Sequence, residues 1–296
     1  MNTLSQPIIP TPTSTPVLVE CPRDAMQGWP HWIPTEKKIT YLNSLLKVGF
    51  NTLDFGSFVS PKAIPQMADT KEVVKELDIS GTHTQLLAIV ANLRGAEEAV
   101  VFDEITMLGF PFSISPTFQV RNTNSTIEES LERLDAIQGL CIKNGKTLVV
   151  YLSMGFGNPY GDAYSEEVLL QRAEQMVQKE IKVISLADTV GVATPAQVST
   201  ALHTLLPRYP ATQWGVHLHG TPANWRDKLE AAWQSGCTRF DGALKGIGGC
   251  PMAQDELVGN MDTENMIRYF HGKNLLQELD EAALQESLRL AAEIFV

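Results

Sequence analysis

The chain has 296 residues, of which 44% are hydrophobic and 19% charged. That suits one large α/β domain, whose barrel form uses about 250 residues, and it is long enough to bury a sizeable core. The net charge is −11 and no Lys/Arg run occurs, which argues against nucleic acid as a partner. An anionic small molecule stays compatible, because the charge inside a pocket can oppose that of the surface. No apolar run reaches the ~18 residues of a membrane-spanning helix. The four cysteines, Cys21, Cys141, Cys237 and Cys250, form neither a CxxC pair nor a disulfide framework, as expected for a reducing cytoplasm. Residues 1–16 (MNTLSQPIIPTPTSTP) lack the basic start and long apolar run of a secretory signal, and they read as a disordered tail ahead of one domain at 17–296.

Apolar strand-like runs then alternate with helix-period segments. The first strand is expected at 17–20 (VLVE), followed by a helix at 35–48 and a second strand at 52–56 (TLDFG). The third and fourth strands fall at 84–90 and 110–114. A helix at 127–143 follows Ser125-Thr126 and carries Glu128 and Glu129 in its first turn, which suits the helix dipole. The fifth strand, 147–153, precedes a helix at 165–178; the sixth, 182–188, precedes one at 195–206 that opens on Thr194-Pro195. The seventh strand, 214–219, leads to a helix at 222–235 closed by Gly236, the eighth spans 239–244, and helices are expected over 262–294. Several strands are apolar without alternation, as parallel strands covered on both faces should be. Eight strands alternating with helices predict an α/β fold, a (β/α)8 TIM barrel with additional C-terminal helices.

In such barrels chemistry sits at the C-terminal ends of the strands. Those ends are polar here: Arg23-Asp24 after the first, Asp54 and Ser57 in and after the second, Asp188 after the sixth, His217-Leu218-His219 in the seventh, and a glycine-dense loop, Lys245-Gly246-Ile247-Gly248-Gly249-Cys250-Pro251, after the eighth. Residues i and i+2 of a strand share a face, so His217 and His219 can share one metal ion, with Asp24 completing a two-histidine, one-carboxylate set. Read individually, the histidines could instead bond backbone, Asp24 could cap a helix and Arg23 could form a surface ion pair. Beside a bound cation, Arg23 offers a planar fork to a developing oxyanion. The glycine loop is either a plain connection or one that brings backbone to a ligand and presents Cys250, a thiol able to pass a proton. His31, His83, His203 and His271 have no companion pattern.

PRDAMQ (22–27), SFVSPKAIPQMAD (57–69), SLADTVGVATP (185–195), VHLHG (216–220) and GIGGCPMA (247–253), followed by Gly259-Asn260, together resemble the 3-hydroxy-3-methylglutaryl-CoA (HMG-CoA) lyase family over residues 17 to about 270. The resemblance implies a divalent metal, Mg²⁺ or Mn²⁺, held by Asp24, His217, His219 and the amide oxygen of Asn260. It implies Arg23 as the enolate-stabilising group, Asp188 and His217 near the proton transfers, Asp54 as a further catalytic residue, and Cys250 as acid or base. Gln27, Ser57, Lys245, Gly248 and Gly249 would meet the substrate. Partners implied are an acyl-CoA and a second copy of the chain in a homodimer. The sequence departs from the family at Asp54, where Glu is usual, at Gly220, where Asp is usual, and at Lys245, where a small residue is usual.

The expected reaction breaks a carbon–carbon bond β to a thioester, giving acetyl-CoA and, from HMG-CoA, acetoacetate. Two alternatives stand beside it: the same chemistry on another hydroxyacyl-CoA or a keto acid, and a non-catalytic barrel that binds a metal or an acyl-CoA.

Overall fold

The computed structural model describes residues 15–249, 258–276 and 279–296. Eight parallel strands close on themselves in chain order: β1 (Val17–Glu20), β2 (Thr52–Ser57), β3 (Gln85–Ile89), β4 (Ile105–Ser113), β5 (Thr147–Ser153), β6 (Val183–Ala187), β7 (Gln213–His217) and β8 (Arg239–Gly242), with β8 paired back to β1. All six residues of β2 are buried, as expected of a strand with the barrel interior on one face and helices on the other.

The helices are α1 (Pro22–Gln27), α2 (Thr35–Val48), α3 (Thr70–Lys75), α4 (Leu93–Ala99), α5 (Pro116–Thr123), α6 (Ile127–Lys143), α7 (Glu166–Gln178), α8 (Pro195–Arg208), α9 (Trp225–Gln234), α10 (Thr263–His271) and α11 (Glu281–Ile294). Their starts follow local chemistry. Thr126 and Thr194 each form a reciprocal capping box, with Glu129 and Gln197 respectively, and Pro195 occupies the first turn of α8. The apolar faces of the helices and the outer faces of the strands make one continuous core, including Phe55, Phe110, Trp214 and Trp233. A second, smaller cluster of Leu87, Ile89, Met107, Val149, Tyr151 and Val183 lies among inward-facing barrel positions. Helix α11 closes against α2, where Ser287 and Ser44 hydroxyls are 2.9 Å apart.

Three differences from the expected elements have physical reasons. Strand β4 starts at Ile105 rather than 110. Gly109 looks like a breaker in the sequence, but a Cβ there would lie 2.5 Å from Ile89 Cδ1 and 3.1 Å from Tyr151 Cε2, so its bareness makes room for larger interior neighbours. Helices α3, α4 and α5 have only 6, 7 and 8 residues, too few for a 3.6-residue period to register. Residues 22–27, read only as the polar end of the first strand, form the short helix α1.

Above β8 the chain returns and is stitched into the barrel mouth. Met261 donates its N–H to Leu218 O at 3.1 Å, Ala243 donates to Met261 O at 3.0 Å, and His219 bridges Asn260 in antiparallel fashion. Glu20, fully buried at the end of β1, locks this segment by accepting from Leu244 N at 2.8 Å and pairing with the Thr263 hydroxyl at 2.6 Å. Burial pushes the Glu20 carboxyl up to about 8, against the lowering effect of the Thr263 and Leu244 bonds. The folded chain therefore holds a proton that the unfolded chain releases above its ordinary value of 4.5, and this residue's contribution to stability falls as pH rises through that window. Urea unfolding at pH 5 and pH 8 checks this. Glu20→Gln, which keeps an acceptor for Leu244, should lose less stability over that rise than the wild type. Glu20→Ala, which strands two buried groups, should cost about 2 kcal/mol or more at pH 5. A Glu20→Gln protein with the wild-type pH slope would refute the assignment.

Candidate active site

The C-terminal mouth of the barrel opens into a cavity lined by Arg23, Asp24, Gln27, His217 and His219 on one side. Its other walls include Tyr151, Ile89, Phe118 and Thr189. Helix α1 explains the first group: one turn directly after β1 swings Arg23, Asp24 and Gln27 over the mouth and buries residues 22–26.

Asp24 is the node. Its Oδ1 accepts from Arg23 at 2.9 Å and from Gln27 Nε2 at 2.7 Å, while its Oδ2 accepts from Asn260 Nδ2 at 2.7 Å. Burial opposes its charge, but Arg23, the two histidines and the Asn260 amide outweigh that and hold the carboxyl below its ordinary value. Arg23 is gripped from the far side by Asp54, whose two oxygens lie 3.1 Å from Nε. Burial alone would lower the Arg23 pKa, and the two carboxylates more than reverse this. Burial pushes Asp54 up while Arg23 pulls it back. Guanidinium keeps its proton in proteins, so Arg23 stays a cation between the two carboxyl groups.

The histidines present matched nitrogens. His219 Nδ1 lies 2.7 Å from Val258 O, so Nδ1 carries the hydrogen and Nε2 is the free donor. Burial, and then His217, drive its pKa down to about 4, so it is neutral and able to ligate. His217 stacks edge-on to it, with ring centroids 5.3 Å apart. Burial opposes protonation of His217, but Asp241 and Asp24 outweigh it and raise its pKa. The segment stitched against β7 supplies Asn260. Its Nδ2 is spent on Asp24 and on Ile247 O at 2.9 Å, while its buried Oδ1 has no hydrogen-bond partner among the described residues. An orphaned amide oxygen beside a carboxylate and two imidazoles fits a hard divalent cation well.

Not every residue expected at the site reaches the cavity. Asp54 stands behind Arg23 as its anchor. Ser57 is buried and spends its hydroxyl on Ile89 O at 3.3 Å and Val59 N at 3.1 Å. Asp188 is buried against Lys228 Nζ at 2.8 Å and Ala193 N at 2.9 Å. Burial pushes its pKa up against the pull of Lys228. Lys228 also donates to His219 O at 2.8 Å, so this pair positions the end of β7 rather than facing the cavity. Lys245 is exposed at φ +64°, and its N–H goes to Glu264 at 2.7 Å. Gly249 is buried at φ +137°. Cys250 lies outside the described residues.

Three residues escaped the sequence reading. Glu20 locks the returning segment. Tyr151 lines the cavity edge-on to His217, with centroids 5.9 Å apart, and its hydroxyl has no partner among the described residues. Asp241 sits below His217, and ligand atoms of Cys21, His217 and Asp241 lie within 4.8 Å of one another. Each is a buried polar or ionisable residue within a strand, visible in VLVE, VVYLS and RFDGA.

Gly248 provides a direct test of this geometry. Its φ is +112°, and a Cβ there would lie 2.5 Å from Asn260 Nδ2 and 3.0 Å from Asp24 O. Gly248→Ala should displace the Asn260 amide and lower Mn²⁺ affinity at least ~10-fold with an unchanged circular dichroism spectrum, as measured by calorimetric titration. Wild-type affinity would mean that the loop yields without disturbing the ligands.

The HMGL-like family model matches residues 18–290. The hydroxymethylglutaryl-CoA lyase YngG of Bacillus subtilis is 37% identical over 259 residues, covering 88% of this chain and 86% of the relative. An (R)-citramalyl-CoA lyase of Chloroflexus aurantiacus is 32% identical, covering 89% and 85%. A solved HMG-CoA lyase of Acinetobacter baumannii, in complex with coenzyme A and 3-methylmalate, superposes with a TM-score of 0.88 at 31% identity, covering 95% of this chain and 91% of that one. With the family model spanning nearly its whole length, this chain belongs to the HMGL-like family, as a carbon–carbon lyase built on a TIM barrel.

Proposed function

We propose that the protein cleaves HMG-CoA to acetyl-CoA and acetoacetate, with Mg²⁺ or Mn²⁺ held by Asp24, His217, His219 and the Asn260 amide oxygen. The observation that carries this reading is the arrangement around Asp24. It gathers Arg23, Gln27 and Asn260 at one mouth with two histidines, in a chain 37% identical to a hydroxymethylglutaryl-CoA lyase.

The 3-hydroxyl loses its proton, the C2–C3 bond breaks, and its electron pair passes into the thioester as an enolate. C3 becomes the ketone of acetoacetate, and protonation at C2 yields acetyl-CoA. A divalent cation in this site supplies Lewis-acid polarisation and a template for the hydroxyl and its neighbouring oxygen. Arg23, fixed by Asp54 and Asp24, aims its remaining N–H groups into the cavity, where the enolate oxygen gains charge. Its orientation is set before substrate arrives, so little reorganisation is needed during reaction. Tyr151 walls the same space, edge-on to His217. Cys250, two positions after Gly248 in the sequence, is our candidate for the proton transfer at C2.

Metal-stripped protein resupplied with Mn²⁺ or Mg²⁺ should release both products from HMG-CoA. Asp24→Asn and His219→Ala should abolish turnover together with metal binding. Arg23→Met should lower kcat by about 10²–10³-fold, and Cys250→Ala should slow turnover at unchanged metal affinity. Absence of products from folded, metal-loaded wild type would reject HMG-CoA as the substrate.

A second reading is favoured by the citramalyl-CoA lyase relative at 32% identity. Citramalyl-CoA is one methylene shorter between the carbinol and the distal carboxylate, and the same bond cleavage yields pyruvate with acetyl-CoA. The two esters assayed side by side separate the readings by their kcat/KM values.

A further inference from the structure

The two histidines at the end of β7 are held by different partners. His219 Nδ1 faces a backbone carbonyl, Val258 O, at 2.7 Å. His217 Nδ1 faces a carboxylate, Asp241 Oδ2, at 3.4 Å. The second pairing is built into the barrel, because His217 and Asp241 are register partners on adjacent strands β7 and β8. The Asp241 side chain is fully shielded from solvent, and its Oδ1 has no hydrogen-bond partner among the described residues. A carboxylate in that position is costly unless something offsets it. Two residues earlier on the same strand face is Arg239, 1% exposed, with Nε and one terminal nitrogen also unpartnered among the described residues. The barrel interior below the mouth thus holds a polar column of Arg239, Asp241 and His217 where apolar side chains would pack at less cost.

We infer that Asp241 is a positioning residue: it fixes the hydrogen of His217 on Nδ1, turns Nε2 to the cation site and makes that nitrogen a stronger donor. A neutral imidazole has one N–H and one lone pair, and whichever nitrogen bonds the carboxylate keeps the hydrogen. A carboxylate behind a ligating histidine also raises its basicity more than a carbonyl does. Cys21, the third member of this cluster, contributes an apolar wall: burial raises its thiol well above the ordinary value, and Sγ is 3.8 Å from Val19 O.

The inference rests on the metal reading above, and its test reads metal binding and tautomer separately from turnover. Mn²⁺ affinity of the full chain is measured by paramagnetic resonance titration for wild type, Asp241→Leu and Asp241→Asn. Affinity should fall about 10–100-fold in Asp241→Leu. It should fall less in Asp241→Asn, whose amide oxygen still accepts from Nδ1 but carries no charge. A purely structural Asp241 would change the melting temperature and leave affinity within twofold of wild type in both folded variants, and that result overturns the inference. Nitrogen-15 spectra of histidine-labelled, metal-stripped wild type, recorded at a pH where His217 is neutral, should show it as the Nδ1–H tautomer; the Nε2–H tautomer overturns the inference even if Asp241→Leu fails to fold. Wild type that binds no Mn²⁺ overturns the metal reading as well. Binding lost in Asp24→Asn but kept in Asp241→Leu overturns this inference alone.

Discussion

The site depends on one buried guanidinium held between two carboxylates. Arg23 meets Asp54 through Nε and Asp24 through a terminal nitrogen, and each of the three is less than a tenth exposed. Within this group one guanidinium faces two carboxyl groups, while Asp241 beneath His217 shares its strand face with the buried Arg239. Removing carboxylates from water costs several kcal/mol each, and an unequal group of this kind persists only where further positive charge can join it. His219, held near a pKa of 4, does not provide that charge. The buried carboxyl groups, the neutral His219 and the unpartnered Asn260 oxygen together form a donor set that suits a hard cation.

The barrel supplies the precision that such a cluster needs. Asp24 and Arg23 ride on a single helical turn, so their spacing is set by backbone rather than by long rotamers. Asn260 arrives on a segment stitched to Leu218 and Ala243 by backbone hydrogen bonds. Glu20 ties that segment to β1, and Lys228 ties the end of β7 to Asp188. None of these ties touches the cavity, yet each fixes the strand end that carries a ligand. A ligand displaced by 1 Å loses much of its value in a preorganised site.

Much of this could be read in the sequence. Eight apolar runs set the barrel, and His-x-His in a strand put two imidazoles on one face by period alone. Arg-Asp after the first strand named the anion and its counter-charge. What local patterns could not express were contacts between distant segments. Asn260 looks like an ordinary turn residue, and only its bridge to His219 gives it a role; the resemblance, not the spacing, pointed there. Asp188 and Ser57 sit in motifs that promised contact with substrate, but buried partners absorb their polar atoms. Glu20, Tyr151 and Asp241 were legible in principle, since an ionisable or phenolic group in an apolar strand demands an explanation.

The Asp54 departure shows how geometry absorbs a sequence change. A shorter carboxylate where the family usually carries glutamate would lie further from the cavity if the backbone were unchanged. Here Asp54 does not line the cavity at all; both its oxygens close on Arg23. Its work is to orient a guanidinium that does line the cavity, and that work is insensitive to one methylene provided the guanidinium follows. Lys245 is similar: its side chain is exposed, and only its backbone N–H is tied, to Glu264. Neither change removes a group from the cavity wall. Ile89, Phe118, Tyr151 and Thr189, which do line the cavity, are touched by neither change.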